Sequence, residues 1–127
     1  MMKNSKIDSF TDLFAWQEGH KLVILVYKIT KEFPKAETYS LTDQMRRAAT
    51  SITSNIAEGF GRHSYKEKNQ FYYLAKGSLN ELTNQIFIAR DVGYLAEAQV
   101  EELINQSNSS YQLLQGLIKK TKTFIQP

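Results

Sequence analysis

Arg46 and Arg47 stand side by side, and Arg62, His63, Lys66 and Lys68 follow within about six turns' worth of chain. Guanidinium forks and ammonium groups at such density suit phosphate, the first as bidentate donors and the second as compact charges. Arg62 and His63 lie directly before Ser64-Tyr-Lys-Glu67, whose Ser and Glu have the spacing of a capping box. A helix opening there offers free backbone N–H groups and a positive dipole end to an anion. Arg46, Arg47, Arg62, Lys66 and Lys68 are therefore the candidate nucleic-acid contacts. The alternative is that Arg46 and Arg47 pair with acids on another helix or subunit, such as Asp43, Glu58 or Glu81, and only fix the assembly.

Other chemistries find less support. Gly59-Phe-Gly61 lacks the preceding strand, the third glycine and the Lys-Ser/Thr ending of a phosphate-cradling loop, and reads as a helix-ending turn. No Glu is followed three residues later by a His, the pattern of carboxylate di-iron bundles, and His20 and His63 have no partner pattern. The chain has no Cys, which removes thiolate ligands, thiol nucleophiles and disulfides. No catalytic residue, metal site or cofactor is expected. Asn55, Glu58, Asn80, Glu81 and Asn84 have the spacing for a polar layer between helices. Trp16, Tyr27, Tyr72 and Tyr73 read as packing residues rather than base-stacking platforms.

The elements that must position these residues are helices throughout. A first runs from Leu13 to Lys31, with Thr11 or Asp12 as its cap and Ala15, Leu22, Val26 and Ile29 on its main face. Its segment Leu22-Val-Ile-Leu-Val-Tyr27 is apolar on nearly all sides. Phe33-Pro34 stops it. Ser40 with Asp43 resembles a capping box for a second helix, on which Met45, Ala48, Ile52 and Ile56 share one face. Arg46 and Arg47 lie off that face, directed at solvent, a partner or an anion. Gly59 and Gly61 are expected to end this helix in a left-handed conformation.

The third helix continues to Arg90, with Phe71, Ala75, Ser78, Leu82, Ile86 and Ala89 on one face, and Gly93 closes it. Gly77-Ser78 in its middle suggests close approach of a neighbour. The fourth, Glu97 to Thr123, carries two stripes: Val100, Ile104, Tyr111, Leu114 and Ile118, then Leu103, Leu113, Leu117 and Phe124. That is more apolar surface than one bundle needs. Four helices with short connections imply an all-α, antiparallel up-down-up-down four-helix bundle over residues 11–127, behind a flexible polar leader of residues 1–10. A length of 127 residues bounds this to one domain, and a net charge of +3 permits an anionic partner without demanding one. The start of the chain lacks the apolar region of a signal peptide, and no run is long enough to span a membrane, so a cytoplasmic protein is expected.

Several segments together resemble the 23S rRNA intervening-sequence proteins. They are Leu13-Phe-Ala-Trp-Gln17, Tyr27-Lys-Ile-Thr-Lys-Glu-Phe-Pro34, Tyr39-Ser-Leu-Thr-Asp-Gln-Met-Arg-Arg-Ala48, Ser51-Ile-Thr-Ser-Asn-Ile-Ala-Glu-Gly-Phe-Gly-Arg62, Ala75-Lys-Gly-Ser-Leu-Asn-Glu81 and Ala89-Arg-Asp-Val-Gly-Tyr-Leu95. They occur in the family's order over residues 10–120. The resemblance implies an antiparallel bundle that forms a ring-like homopentamer. A related accessory protein of diversity-generating retroelements forms a similar basic barrel that works with nucleic acid and a reverse transcriptase. Ala96 departs from the pattern, where a capping Ser or Thr is commoner. On these grounds the expectation is a non-enzymatic homo-oligomer, with RNA or DNA as its partner. The competing expectation is a structural or protein-interaction scaffold that binds no nucleic acid.

Overall fold

The computed structural model describes residues 6–126, so residues 1–5 of the expected leader and Pro127 lie outside the described residues. Four α-helices, α1 (Phe14–Thr30), α2 (Leu41–Phe60), α3 (Tyr65–Asp91) and α4 (Glu97–Lys122), take up more than two thirds of the chain. Two short 3-10 turns, Phe10–Asp12 and Lys35–Glu37, are the other regular elements among the described residues.

The start of α1 differs from expectation. Asp12 accepts from the Ser9 N–H at 3.1 Å and Ser9 Oγ accepts from the Thr11 N–H at 3.2 Å, so this capping box closes the 3-10 turn. Leu13 precedes α1 with no side-chain cap, because the polar residues are already used one turn earlier. Phe10 docks edge-on against Trp16 with ring centroids 5.6 Å apart. Ala15, Leu22, Val26 and Ile29 are buried as their spacing predicts, with Val23 beside them. Ile24 and Tyr27 face outward, so the apolar segment is only partly internal.

Capping of α2 is also non-local. Ser40 makes no side-chain cap; instead the Leu41 N–H donates to Glu37 Oε1 at 3.2 Å, and Tyr94 Oη donates to Glu37 Oε2 at 2.8 Å. One carboxylate thus ties the first turn of α2 to the α3–α4 corner. Met45, Ala48, Ile52 and Ile56 are buried along α2, joined by Ala49. Gly59 is a close-approach residue inside the helix, not a terminator. A Cβ there would lie 2.9 Å from both Phe71 Cβ and Tyr72 Cε1, and 3.0 Å from the Lys68 carbonyl oxygen. Gly61 follows as the C-cap in right-handed geometry, with φ of −81°.

On α3, Ala75, Leu82, Ile86 and Ala89 are buried, together with Tyr72 and Leu79. Gly77 faces open space, so the expected close approach does not occur there. It falls one residue on, where the Ser78 and Ser51 hydroxyls meet at 2.7 Å. The helix ends at Gly93, whose φ of +87° is the left-handed region. The Tyr94 N–H reaches the Ala89 carbonyl at 2.9 Å and the Gly93 N–H reaches that of Arg90 at 3.1 Å, the paired bonds of a Schellman motif.

The buried face of α4 is Leu103, Ser107, Ser110, Leu114, Ile118 and Thr121. Neither expected stripe survives intact: Leu113 and Phe124 are exposed, and Val100, Ile104, Tyr111 and Leu117 only flank the core. Ala96 makes no side-chain cap, and Gln99 supplies only the reciprocal arm of a capping box, its Oε1 accepting from the Ala96 N–H at 2.8 Å.

Each helix packs on its neighbour in sequence, and α1 closes against α4; α1 and α3, like α2 and α4, lie diagonally, with no Cα atoms within 8 Å of one another. The end of α1 meets the start of α2 through Arg46 and Thr30. The start of α3 meets the end of α4, where Asn69 Nδ2 donates to the Ile118 carbonyl at 3.3 Å. Gln106 Nε2 on α4 donates to both the Glu18 carbonyl and Glu18 Oε1 on α1, each at 2.9 Å. Among the described residues no helix is long and apolar enough to cross a membrane.

Candidate nucleic-acid interface

The five candidate cations fall into two groups. Arg46 and Arg47 lie in the second turn of α2, and Arg62 is sixteen residues further on, about 24 Å along the helix at 1.5 Å per residue. Arg46 is engaged inside the fold. Its Nε donates to Thr30 Oγ1 at 2.9 Å, its Nη2 to the Tyr27 carbonyl at 3.4 Å, and its guanidinium lies 4.6 Å from the Tyr27 ring centroid. It satisfies the carbonyl end of α1 instead of projecting freely. Arg47 is exposed and pairs with Asp43 at 2.9 Å one turn back on the same helix, so this pair joins no second helix.

The second group surrounds the α2–α3 connection. Arg62 Nη2 donates to Glu58 Oε2 at 2.7 Å, and its guanidinium lies 4.6 Å over the Phe71 ring. Lys68 Nζ donates to the Phe60 carbonyl at 2.6 Å, and burial lowers its pKa from the ordinary lysine value. Lys66 is exposed and has no carboxylate of the described residues within 4.0 Å. Ser64 Oγ accepts from the Glu67 N–H at 3.1 Å, the forward arm of the predicted capping box. A shallow hollow here is lined by Ala57, Glu58, Gly61, Arg62, His63 and Glu67. Two carboxylates share it with the cations, so the N-terminus of α3 is not a purely positive anion site.

The expected polar layer is smaller than its spacing suggested. Asn55 Nδ2 donates to the Ser51 carbonyl at 2.9 Å and to its hydroxyl at 3.1 Å, joining the Ser51–Ser78 contact. Asn80, Glu81 and Asn84 are exposed, and Glu81 accepts from Gln85 at 3.3 Å. No group of three His, Asp or Glu that could hold a metal ion occurs among the described residues.

Sequence reasoning passed over the cations that the fold places nearest this end. Lys119, Lys120 and Lys122 occupy the last turn of α4, where they complement its dipole. The Asn69–Ile118 bond and the stacked rings of Tyr65 and Phe124, 5.0 Å apart, set that turn beside the start of α3. Among the described residues none of the three lysines has a carboxylate within 4.0 Å. A signal was in plain view: residues 68–80 and 103–127 contain lysines and no Asp or Glu. Only the pairing of α3 with α4 turns those two segments into one surface.

A family model, that of the 23S rRNA-intervening sequence protein, matches residues 11–116. The chain belongs to that family. A solved structure similar to this 23S rRNA-intervening sequence family member is that of a protein with unknown function from the S23 ribosomal protein family of Bacteroides thetaiotaomicron VPI-5482. It aligns over 83% of this chain and 98% of its own, with a TM-score of 0.74 and 21% identity, a likeness of fold. Among curated proteins none matches the chain.

Proposed function

We propose that this family member is a non-enzymatic, cytoplasmic accessory protein that self-assembles and associates with RNA or DNA through sequence-independent phosphate contacts. The observation that carries the reading is the gathering of Lys66, Lys119, Lys120 and Lys122 at one end of the fold with no carboxylate of the described residues within 4.0 Å. Arg47 and Arg62 stay available because exposed pairs within one helical turn contribute only about 0.3–0.5 kcal/mol, which a phosphate can replace. An up-down-up-down order of the helices is supported by the meeting of α1's end with α2's start, and of α3's start with α4's end. Assembly into a ring, a homopentamer by the resemblance noted above, is supported by exposed Phe14, Ile24, Leu74 and Val92, each more than half accessible. The absence of Cys suits a reducing compartment.

Five copies of a chain of charge +3 sum to about +15. With 6–10 phosphate contacts, binding should fall by roughly three to five orders of magnitude between about 50 and 200 mM salt. Lys66→Glu with Lys119→Glu should abolish retention of RNA and DNA at low salt while helix content and oligomer size stay as in the parent. A scaffold reading is favoured by Arg46, whose partners are all internal. It takes over if the parent retains no nucleic acid at low salt, or if the double change alters only the oligomer.

A further inference from the structure

The seam between α3 and α4 carries an alternation of aromatic and cationic side chains, Lys122, Tyr73, Lys76 and Tyr111, with a stacked aromatic pair near its end. Lys122 Nζ lies 5.5 Å from the Tyr73 ring centroid, and Lys76 Nζ lies 5.9 Å from the same ring and 5.7 Å from that of Tyr111. Beyond Lys122, Tyr65 and Phe124 stack at 5.0 Å with 28° between their planes. Tyr65, Tyr73 and Phe124 are 45%, 43% and 48% accessible, so these rings are not spent on the core. No acidic residue occurs in residues 68–80 or 103–127, the stretches that hold all of these groups except Tyr65. From Tyr111 to Lys122 the seam extends about 16 Å along α4.

We infer that this seam is a binding track for single-stranded nucleic acid, with unpaired bases stacking on Tyr73 and the Tyr65–Phe124 pair and phosphates held by Lys76 and Lys122. The inference rests on the nucleic-acid reading above and narrows it from any phosphate backbone to an unpaired strand. Lysine is a point charge on a flexible stem, so an ammonium that now lies over a ring can swing to a flanking phosphate when a base takes its place. An exposed aromatic face adds affinity only where base faces are free, and in a duplex they are covered by neighbouring pairs. At about 3.4 Å per stacked nucleotide, a 16 Å track seats roughly five nucleotides. Lysines without the rings would hold single and double strands alike. The rings make the difference.

Fluorescence anisotropy with labelled oligo(dT) of about 20 nucleotides, against a mixed-sequence duplex of the same length at about 50 mM salt, tests this. The parent should bind the single strand at least about tenfold more tightly than the duplex. Tyr73→Ala should lose roughly tenfold on the single strand, the order expected for one stacked base, with duplex binding unchanged. Tyr73→Phe should restore the loss, since it keeps the ring. Equal parental affinity for both forms, or a Tyr73→Ala protein that binds oligo(dT) as the parent does, overturns the track while leaving the phosphate reading in place. Failure of the parent to bind either form removes both. If Tyr73→Ala changes oligomer size by light scattering and leaves binding untouched, the seam is a contact between copies, and the inference is wrong.

Discussion

Replacing Gly59 by Ala gives opposite predictions depending on whether only local helix propensity or also the neighbouring helix is considered. In an exposed helix interior, Gly to Ala stabilises by about 0.8–1 kcal/mol. At Gly59 the new Cβ would come within 2.9 Å of Phe71 Cβ and Tyr72 Cε1 and 3.0 Å of the Lys68 carbonyl oxygen. The Tyr72 ring edge has some freedom to turn. A Cβ and a main-chain oxygen move only with the backbone, so α2 and α3 must separate locally. Overpacking of this kind costs about 1–3 kcal/mol, so once the propensity gain is subtracted the net effect is a loss of up to about 2 kcal/mol. Gly77→Ala is the internal control: nothing lies within 4 Å of its added Cβ, so it should stabilise by about 0.5–1 kcal/mol. Urea unfolding followed by circular dichroism, at one fixed protein concentration, reads both changes as midpoint shifts at constant slope. If Gly59→Ala is as stable as Gly77→Ala, the tight α2–α3 crossing is wrong. If both variants shift the same way, sterics do not govern the site.

Two further perturbations probe the core and the α1–α4 contact. Ile52 and Leu82 are fully buried, and each truncation to Ala should cost about 2–5 kcal/mol in the same unfolding assay; a change of a few tenths would place that side chain outside the core. Hydrogen bonds from Lys21 and then Gln106 hold the Glu18 carboxyl below its ordinary pKa. A depressed folded-state value gives stability that is present above the unfolded pKa of about 4.3 and lost as pH falls through the folded one. Glu18→Gln should therefore flatten the loss of stability on acidification below about pH 5, and an unchanged acid limb would mean the pair contributes nothing.

The buried faces of α1 and α2 were legible because their apolar residues keep strict spacings of three and four, from Ala15 to Ile29 and from Met45 to Ile56. On α4 the same periodicity is carried partly by Ser107, Ser110 and Thr121, whose hydroxyls hide a buried face from any count of apolar residues. Caps were misjudged where the partner comes from elsewhere: Glu37 displaces Ser40 and Asp43 because the preceding turn folds its carboxylate onto Leu41. Gly59 was misread since a glycine's role depends on what packs against it. In the candidate site, the Arg62–Lys68 group is contiguous in sequence and was readable. The roles of Arg46 and of the α4 lysines depend on Thr30, Tyr27 and Asn69, contacts that only the packing of helices creates.

The α1–α4 contact, tied by Gln106 and Glu18, sets the order in which the molecule forms. Three of the four helix pairings join neighbours in sequence, so each helical hairpin closes a short loop and can form early. Arg46 reaches Thr30 across 16 residues, whereas Gln106 reaches Glu18 across 88. At about 0.6 kcal/mol per doubling of loop length, that last closure costs about 1.5 kcal/mol more in chain entropy than the first. The α1–α4 seam should therefore be the last contact to close during folding. In the folded chain α2 and α3 form the most extensive pairing, whereas α1 is held by its packing on α2 and α4: amide exchange should release α1 while α2 and α3 remain protected as a pair.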